Sequence, residues 1–174
     1  MEHPATAARP FHVLGKRTFK TVIAIFLAAL FMQYVMNETP FFACIGALVA
    51  VDRTMRDSVR ASIIRNVGTF TGAVVSIAIS SFTENLLLIS LGIVPFIAIN
   101  TALNKRDSIV PGGIVYFAVA YLNTMQGAWI YGVRRVIGTL IGTLIGLAVN
   151  ALIFPPAAEA KAPLETSILD EPDI

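Results

Sequence analysis

Six stretches of this chain carry no Asp, Glu, Lys or Arg: residues 21 to 37, 39 to 51, 66 to 83, 85 to 104, 108 to 133 and 136 to 158. Their lengths are 17, 13, 18, 20, 26 and 23, and together they cover 117 of 174 residues. A helix needs about 20 apolar residues to cross about 30 Å of hydrocarbon, so five windows are long enough, or nearly so, to span a bilayer. Only 14% of the residues are charged and 56% are hydrophobic, and the remainder leaves no contiguous stretch for a soluble catalytic or binding domain. The pattern predicts an all-α, polytopic membrane bundle. Its parts are a cytoplasmic segment at 1–19, a membrane domain at 20–156 and a disordered acidic tail at 157–174. Lys16, Arg17 and Lys20 precede a first window that ends without a small-residue cleavage site, so no cleavable signal peptide is expected.

The charges also set a topology. Six spans put the N-terminus and the loops at 52–65 and 104–108 on one side, with 38–39, 83–85 and 124–135 on the other. The first side holds Arg9, Lys16, Arg17, Lys20, Arg53, Arg56, Arg60, Arg65, Lys105, Arg106 and Lys161, whereas the second holds Arg134 and Arg135. Basic residues stay cytoplasmic, so both termini are expected inside a cell (inner) membrane. Trp129 and Tyr131 suit an interfacial aromatic belt.

Compared with itself at an offset of 70, the chain matches at Thr54-Met55 and Thr124-Met125, Arg65 and Arg135, and Gly68-Thr69-x-x-Gly72 and Gly138-Thr139-x-x-Gly142. Three spans per half would insert the copies in opposite senses, giving a 3+3 inverted repeat with halves of about 15–83 and 85–156. The same match also arises if Arg-x-x-Gly-Thr-x-x-Gly is only a good start for a packed membrane helix. Pro40 and Pro111 open the second span of each half. The 13-residue window and the sequence Pro111-Gly112-Gly113 mark expected helix breaks there, tolerable only against protein or a water-filled cavity. A re-entrant second segment would instead give five spans and an external C-terminus.

No carboxylate lies within a window, so a buried acidic relay is not evident. The candidates for a substrate path are cations: Arg53, Arg56, Arg65, Arg134 and Arg135, whose guanidinium forks suit carboxylates. Each also reads as an interfacial anchor. Asp52 with Arg56 and Arg53 with Asp57 have i, i+4 spacing, and Asp57-Ser58 and Asp107-Ser108 are candidate helix caps. Gly68, Gly72, Gly138, Gly142 and Gly146 form packing stripes, within the protomer or across a dimer. Cys44 excludes a disulfide framework, His3 and His12 precede the first window, and no metal or cofactor site is expected. The dispersed basic residues exclude a nucleic-acid surface.

Lys20-Thr21, Pro40-Phe41-Phe42-Ala43, Asp57-Ser58 before Arg65-x-x-Gly68-Thr69-x-x-Gly72, and Asn150-Ala151-Leu152-Ile153-Phe154-Pro155-Pro156 occur in this order. The pattern, over about residues 14 to 156, resembles the aromatic acid exporter family. That group includes fusaric acid resistance type proteins and, distantly, the aluminium-activated malate transporters. The resemblance implies a six-helix bundle that works as a homodimer, moves organic, often aromatic, carboxylates and uses Arg65 and Arg135 to shape the anion path. It also implies a soluble C-terminal domain in many members, which this sequence does not contain. The leading expectation is thus an organic-anion exporter, not an enzyme. The alternative is a non-transporting scaffold or partner subunit that packs through its glycine faces. A reporter active only in the cytoplasm, fused after Ile174, is expected to be active; an inactive fusion would favour five spans.

Overall fold

The computed structural model describes residues 15–122 and 127–153. The N-terminal segment with both histidines, Thr124-Met125 and the acidic tail lie outside the described residues. Those described form α-helices joined by short turns, with no strand among them. They are α1 (Lys16–Leu30), extended by a π turn (Phe31–Val35), α2 (Phe41–Ala50), α3 (Met55–Ser80), α4 (Leu86–Leu91), α5 (Ile93–Ala102), α6 (Ile109–Leu122) and α7 (Ala128–Leu152). The stretches Arg17–Val35, Met55–Ser80 and Ala128–Leu152 are long and apolar enough to cross a membrane. Phe41–Ala50 and Leu86–Ala102 are shorter apolar helices.

Local chemistry sets most boundaries. Pro40 precedes α2, as its position suggested. Residues 55–65, expected in a loop, belong to α3. Its N-cap is Thr54, whose Oγ1 accepts from Asp57 N at 3.0 Å and donates to Asp57 Oδ2 at 2.8 Å. This reciprocal bonding stabilises the first turn, so the cap is Thr54 and not Asp57-Ser58. Asp107-Ser108 form a 3-10 turn (Arg106–Ser108) leading into α6. Residues 128–135 likewise belong to α7.

The expected break at Pro111-Gly112-Gly113 is not where the helix is interrupted: α6 runs through all three. Pro111 occupies the first turn, where a backbone N–H would have no intrahelical partner, so proline costs little there. The second half is instead interrupted at Gly92, between α4 and α5. Pro95 lacks the N–H that would bond to Leu91 O, which accounts for the position.

Glycines decide how the helices assemble. A Cβ on Gly142 would collide with the Ala43 backbone, and one on Gly146 would lie 2.8 Å from Ala47 O. From the other side, a Cβ on Gly46 would stand 2.7 Å from Thr139 O. Thus α7 and α2 meet backbone to backbone. α3 meets α6 in the same way: a Cβ on Gly68 or Gly72 would strike the backbone of Ser108 or Gly112. The stripes are used inside the protomer. In lipid, where apolar side chains gain nothing by leaving solvent, such close approach is a main source of helix association. Three apolar clusters surround these crossings, one joining α1, α2 and α7, one centred on Phe42, Ala73 and Val119, and one on Phe96 and Tyr116.

Gly72→Leu and Gly142→Leu are expected to abolish the folded protein in detergent extracts. Gly113→Ala, where an added Cβ meets nothing within 4 Å, should be neutral or stabilise by up to about 1 kcal/mol by thermal unfolding.

Candidate functional site

One end of the bundle closes through a polar node. Lys20, 6% exposed, donates from Nζ to Asn150 Oδ1 at 3.2 Å. Asn150, fully buried, donates from Nδ2 to Ser58 Oγ at 2.7 Å and Asp52 O at 3.2 Å. Arg17 pairs with Asp52 at 3.2 Å and reaches Val51 O at 3.4 Å, while Asp52 N donates to Ser58 Oγ at 3.0 Å. The ten-residue α2 is about 15 Å long, too short to span, and the backbone after it must find partners within protein. These side chains provide them. Because α3 begins only at Met55, Asp52 and Arg53 are outside the helix. The i, i+4 pairing expected for Asp52 with Arg56 gives way to the pair with Arg17. At the opposite end Glu38 pairs with Arg134 at 3.0 Å.

Between these ends α3 and α7 cross antiparallel. Ser58 meets Asn150, Asn66 Nδ2 donates to Thr143 Oγ1 at 2.9 Å, and Ala73 shares an apolar cluster with Val136. Each step along α3 is matched by a step back along α7, which sets Thr69 level with Thr139. Both are buried, and neither Oγ1 has a hydrogen-bond partner among the described residues. Arg65 stands one turn to one side of this level and Arg135 one turn to the other, each about 6 Å away along the axis.

The two arginines differ in their surroundings. Arg135 lies over the Phe42 ring, 3.8 Å from its centroid, and the Tyr131 ring at 4.0 Å, and donates to Tyr131 Oη. The aromatic faces stabilise its charge. Arg65 is 6% exposed, its Nε is unpartnered, and no carboxylate or ring faces it among the described residues. On the same buried face of α3 lie Ser62, whose Oγ also lacks a partner, and Thr69. A buried cation without a counter-charge costs several kcal/mol, and in a membrane such a residue marks a functional site by default.

The other sequence candidates are apart from this centre. Arg53 and Arg56 are exposed. Arg56 is nine residues from Arg65, half a turn away after whole turns are removed, and so faces the opposite side of α3. Gly112 serves α3 packing, and Cys44 is half-buried with Sγ 3.9 Å from Ile25 O. Thr69 and Thr139 were present in the repeated Gly-Thr-x-x-Gly motif, but the motif alone does not reveal that their hydroxyls are unpartnered. Ser62 carried no such signal, and Asn150, which opens the closing run of the pattern quoted above, gave no sign of its bonding partners. No group of three His, Cys, Asp or Glu suited to a metal occurs among the described residues.

The sequence pattern described as aromatic acid exporter family member 1 matches residues 12–153. A UPF0421 protein of Staphylococcus epidermidis is 29% identical over 148 residues, covering 83% of this chain and 44% of that protein. One of Halalkalibacterium halodurans is 33% identical over 147 residues, covering 82% and 40%. One of Oceanobacillus iheyensis is 28% identical over 145 residues, covering 82% and 41%. The chain thus spans less than half the length of these curated relatives. No solved structure matches.

Asn150→Ala should cost about 1–3 kcal/mol by thermal unfolding in detergent, since it strands Lys20 and Ser58 together. Asn150→Asp should retain more of that stability by offering Lys20 a counter-charge.

Proposed function

The chain belongs to the aromatic acid exporter family, and we propose that it moves organic carboxylate anions, aromatic ones above all, outward across the cell membrane. The observation that carries the proposal is Arg65, buried in a membrane helix with no anionic partner among the described residues. A carboxylate passing along the α3–α7 crossing would meet its guanidinium fork, and the hydroxyls of Ser62, Thr69 and Thr139 would replace lost hydration. Arg134 and Arg135 would hold positive charge nearer the other mouth, with Arg135 steadied by Phe42 and Tyr131. Arg53 would add charge at the entry end.

The architecture proposed is six membrane segments in residues 20–156, arranged as a 3+3 inverted repeat with halves of about 15–83 and 85–156. Its support is the pairing of the third helix of each half with the second helix of the other, α3 with α6 and α7 with α2, through glycines of the repeated motif. The level shared by Thr69 and Thr139 fits a two-fold axis in the membrane plane, where such transporters bind their cargo. The excess of basic residues on one side supports cytoplasmic termini. A homodimer remains part of the proposal, with its contact outside the glycine stripes, since these are occupied within the protomer. That occupancy also takes away the surface on which a scaffold role would depend.

In proteoliposomes loaded with benzoate, protein-dependent release is expected to fall at least tenfold for Arg65→Gln and to remain measurable for Arg65→Lys, with both variants folded by circular dichroism. Release unchanged in Arg65→Gln would overturn the assignment of this residue. No release above empty vesicles from the folded wild type would overturn autonomous transport by the chain.

A further inference from the structure

The contact between α7 and α2 changes character along its length. From Gly146 to Thr139 it is backbone against backbone: a Cβ on Gly142 would strike the Ala43 backbone, and one on Gly46 would stand 2.7 Å from Thr139 O. One turn beyond Gly142, away from the Lys20–Asn150 node, the contact loosens. A Cβ on Gly138 would meet nothing closer than Met32 Cε, the far end of a flexible side chain, at 3.6 Å. At Gly132 the neighbours are side-chain atoms of Ile77 and Ala73. The first turns of α7, from Ala128 to Gly138, therefore pack on side chains, which change rotamer far faster than packed helices move apart.

Two cations help tie these turns down. Arg135 lies over Phe42, and Arg134 pairs with Glu38, in the turn between α1 and α2, at 3.0 Å. That turn is built to deliver the carboxylate. The helix α1 ends in the π turn Phe31–Val35, Asn37 adopts a left-handed conformation, φ 51°, and Glu38 N donates to Met32 O at 3.0 Å. Glu38 is thus anchored to α1 by its backbone and to α7 by its side chain. The pair is open to its surroundings, with the Glu38 and Arg134 side chains 25% and 45% exposed, and an ion pair so placed contributes little to stability. That suits a contact that must break and re-form. Behind it, toward the middle of the bundle, come Arg135 and, one turn deeper, the unpartnered hydroxyl of Thr139.

We propose that Glu38 is a latch: its pair with Arg134 holds the first turns of α7 against the α1–α2 turn and shuts the bundle at the end opposite the Lys20–Asn150 node. When the pair breaks, these turns swing out about the backbone contact at Thr139 and open the way to the level of Thr69 and Thr139. At the other end the Arg17–Asp52 pair and the Asn150 node stay closed. The structure is then the occluded form, sealed at both ends around Arg65. As regulation of an anion path, the latch rests on the reading of that level given above.

The test is thiol labelling, which needs no transport. Full-length Thr139→Cys in a Cys44→Ala background is reconstituted in liposomes with an anionic methanethiosulfonate on both faces, so insertion in either sense gives the same readout. Glu38→Gln is expected to speed labelling at least tenfold, and the charge swap Glu38→Arg/Arg134→Glu to return it to within about threefold of the parent. Arg60→Gln, which breaks the exposed pair with Asp107 instead, should change it less than threefold. Val149→Cys replaces a side chain 5% exposed near the backbone-packed end of α7; it reports general loosening and should stay unreactive in Glu38→Gln. Labelling of Thr139→Cys unchanged by Glu38→Gln, failure of the swap to restore it, or equal gains at Val149→Cys or in Arg60→Gln would overturn the latch. Labelling that responds while the wild type releases no benzoate would overturn transport and keep the latch as a conformational device. Release without a labelling response would do the reverse.

Discussion

Backbone contact between helices is the constraint on which the rest of this structure depends. In water a helix pair can be held by burying leucines, but between lipid-facing helices that gain largely disappears, and association must come from close packing and interhelical hydrogen bonds. Gly142 and Gly146 bring α7 against Ala43 and Ala47 of α2, and Gly68 and Gly72 bring α3 against Gly112 of α6. With these four helices locked in two tight pairs, the most extensive interface between the pairs is the α3–α7 crossing. Both helices carry buried polar side chains: Ser62, Arg65 and Thr69 on α3 and Thr139 and Thr143 on α7.

The buried polar groups fall into two kinds. At one end Lys20, Asn150, Ser58 and Asp52 satisfy one another and absorb the backbone that the short α2 leaves exposed. These groups hold the fold together. Near the centre, Arg65 Nε and the hydroxyls of Ser62, Thr69 and Thr139 have no partner among the described residues. A folded protein does not leave such groups idle without cost, and their grouping within about two turns of helix is what makes an anion path a physical reading of the fold. Arg135 Nε also lacks a hydrogen-bond partner among the described residues, but its guanidinium lies over the Phe42 and Tyr131 rings, which favour its charge.

Much of this was readable from residue order. The charge-free windows identified the helices, the small-residue motif identified the packing faces, and Pro40 marked the start of α2. Where reading failed, the reason was competition between neighbouring groups. Thr54 took the cap that Asp57-Ser58 offered, because its hydroxyl could bond reciprocally with Asp57. Asp52 chose Arg17, 35 positions away, over Arg56, because the chain there is not helical and the i, i+4 relation does not exist. Pro111 sat harmlessly in a first turn, while Pro95, which drew no attention, accounts for the interruption at Gly92.

The amino-acid order by itself determined the solvent in which this protein works, since the spacing of charged residues leaves only segments that hydrocarbon accepts. It also determined which helix faces could approach closely, because absence of a side chain is a local property. Which cations are compensated is a different matter. Arg65 and Arg135 occupy equivalent places in the repeated motif, and the local difference is Tyr131, one turn before Arg135 where Ala61 precedes Arg65. The tertiary structure added the rest, by laying Phe42 against Arg135 and leaving Arg65 without a carboxylate or ring among the described residues. Electrostatic environment is a sum over neighbours in space, and Phe42 comes from a helix far away along the chain.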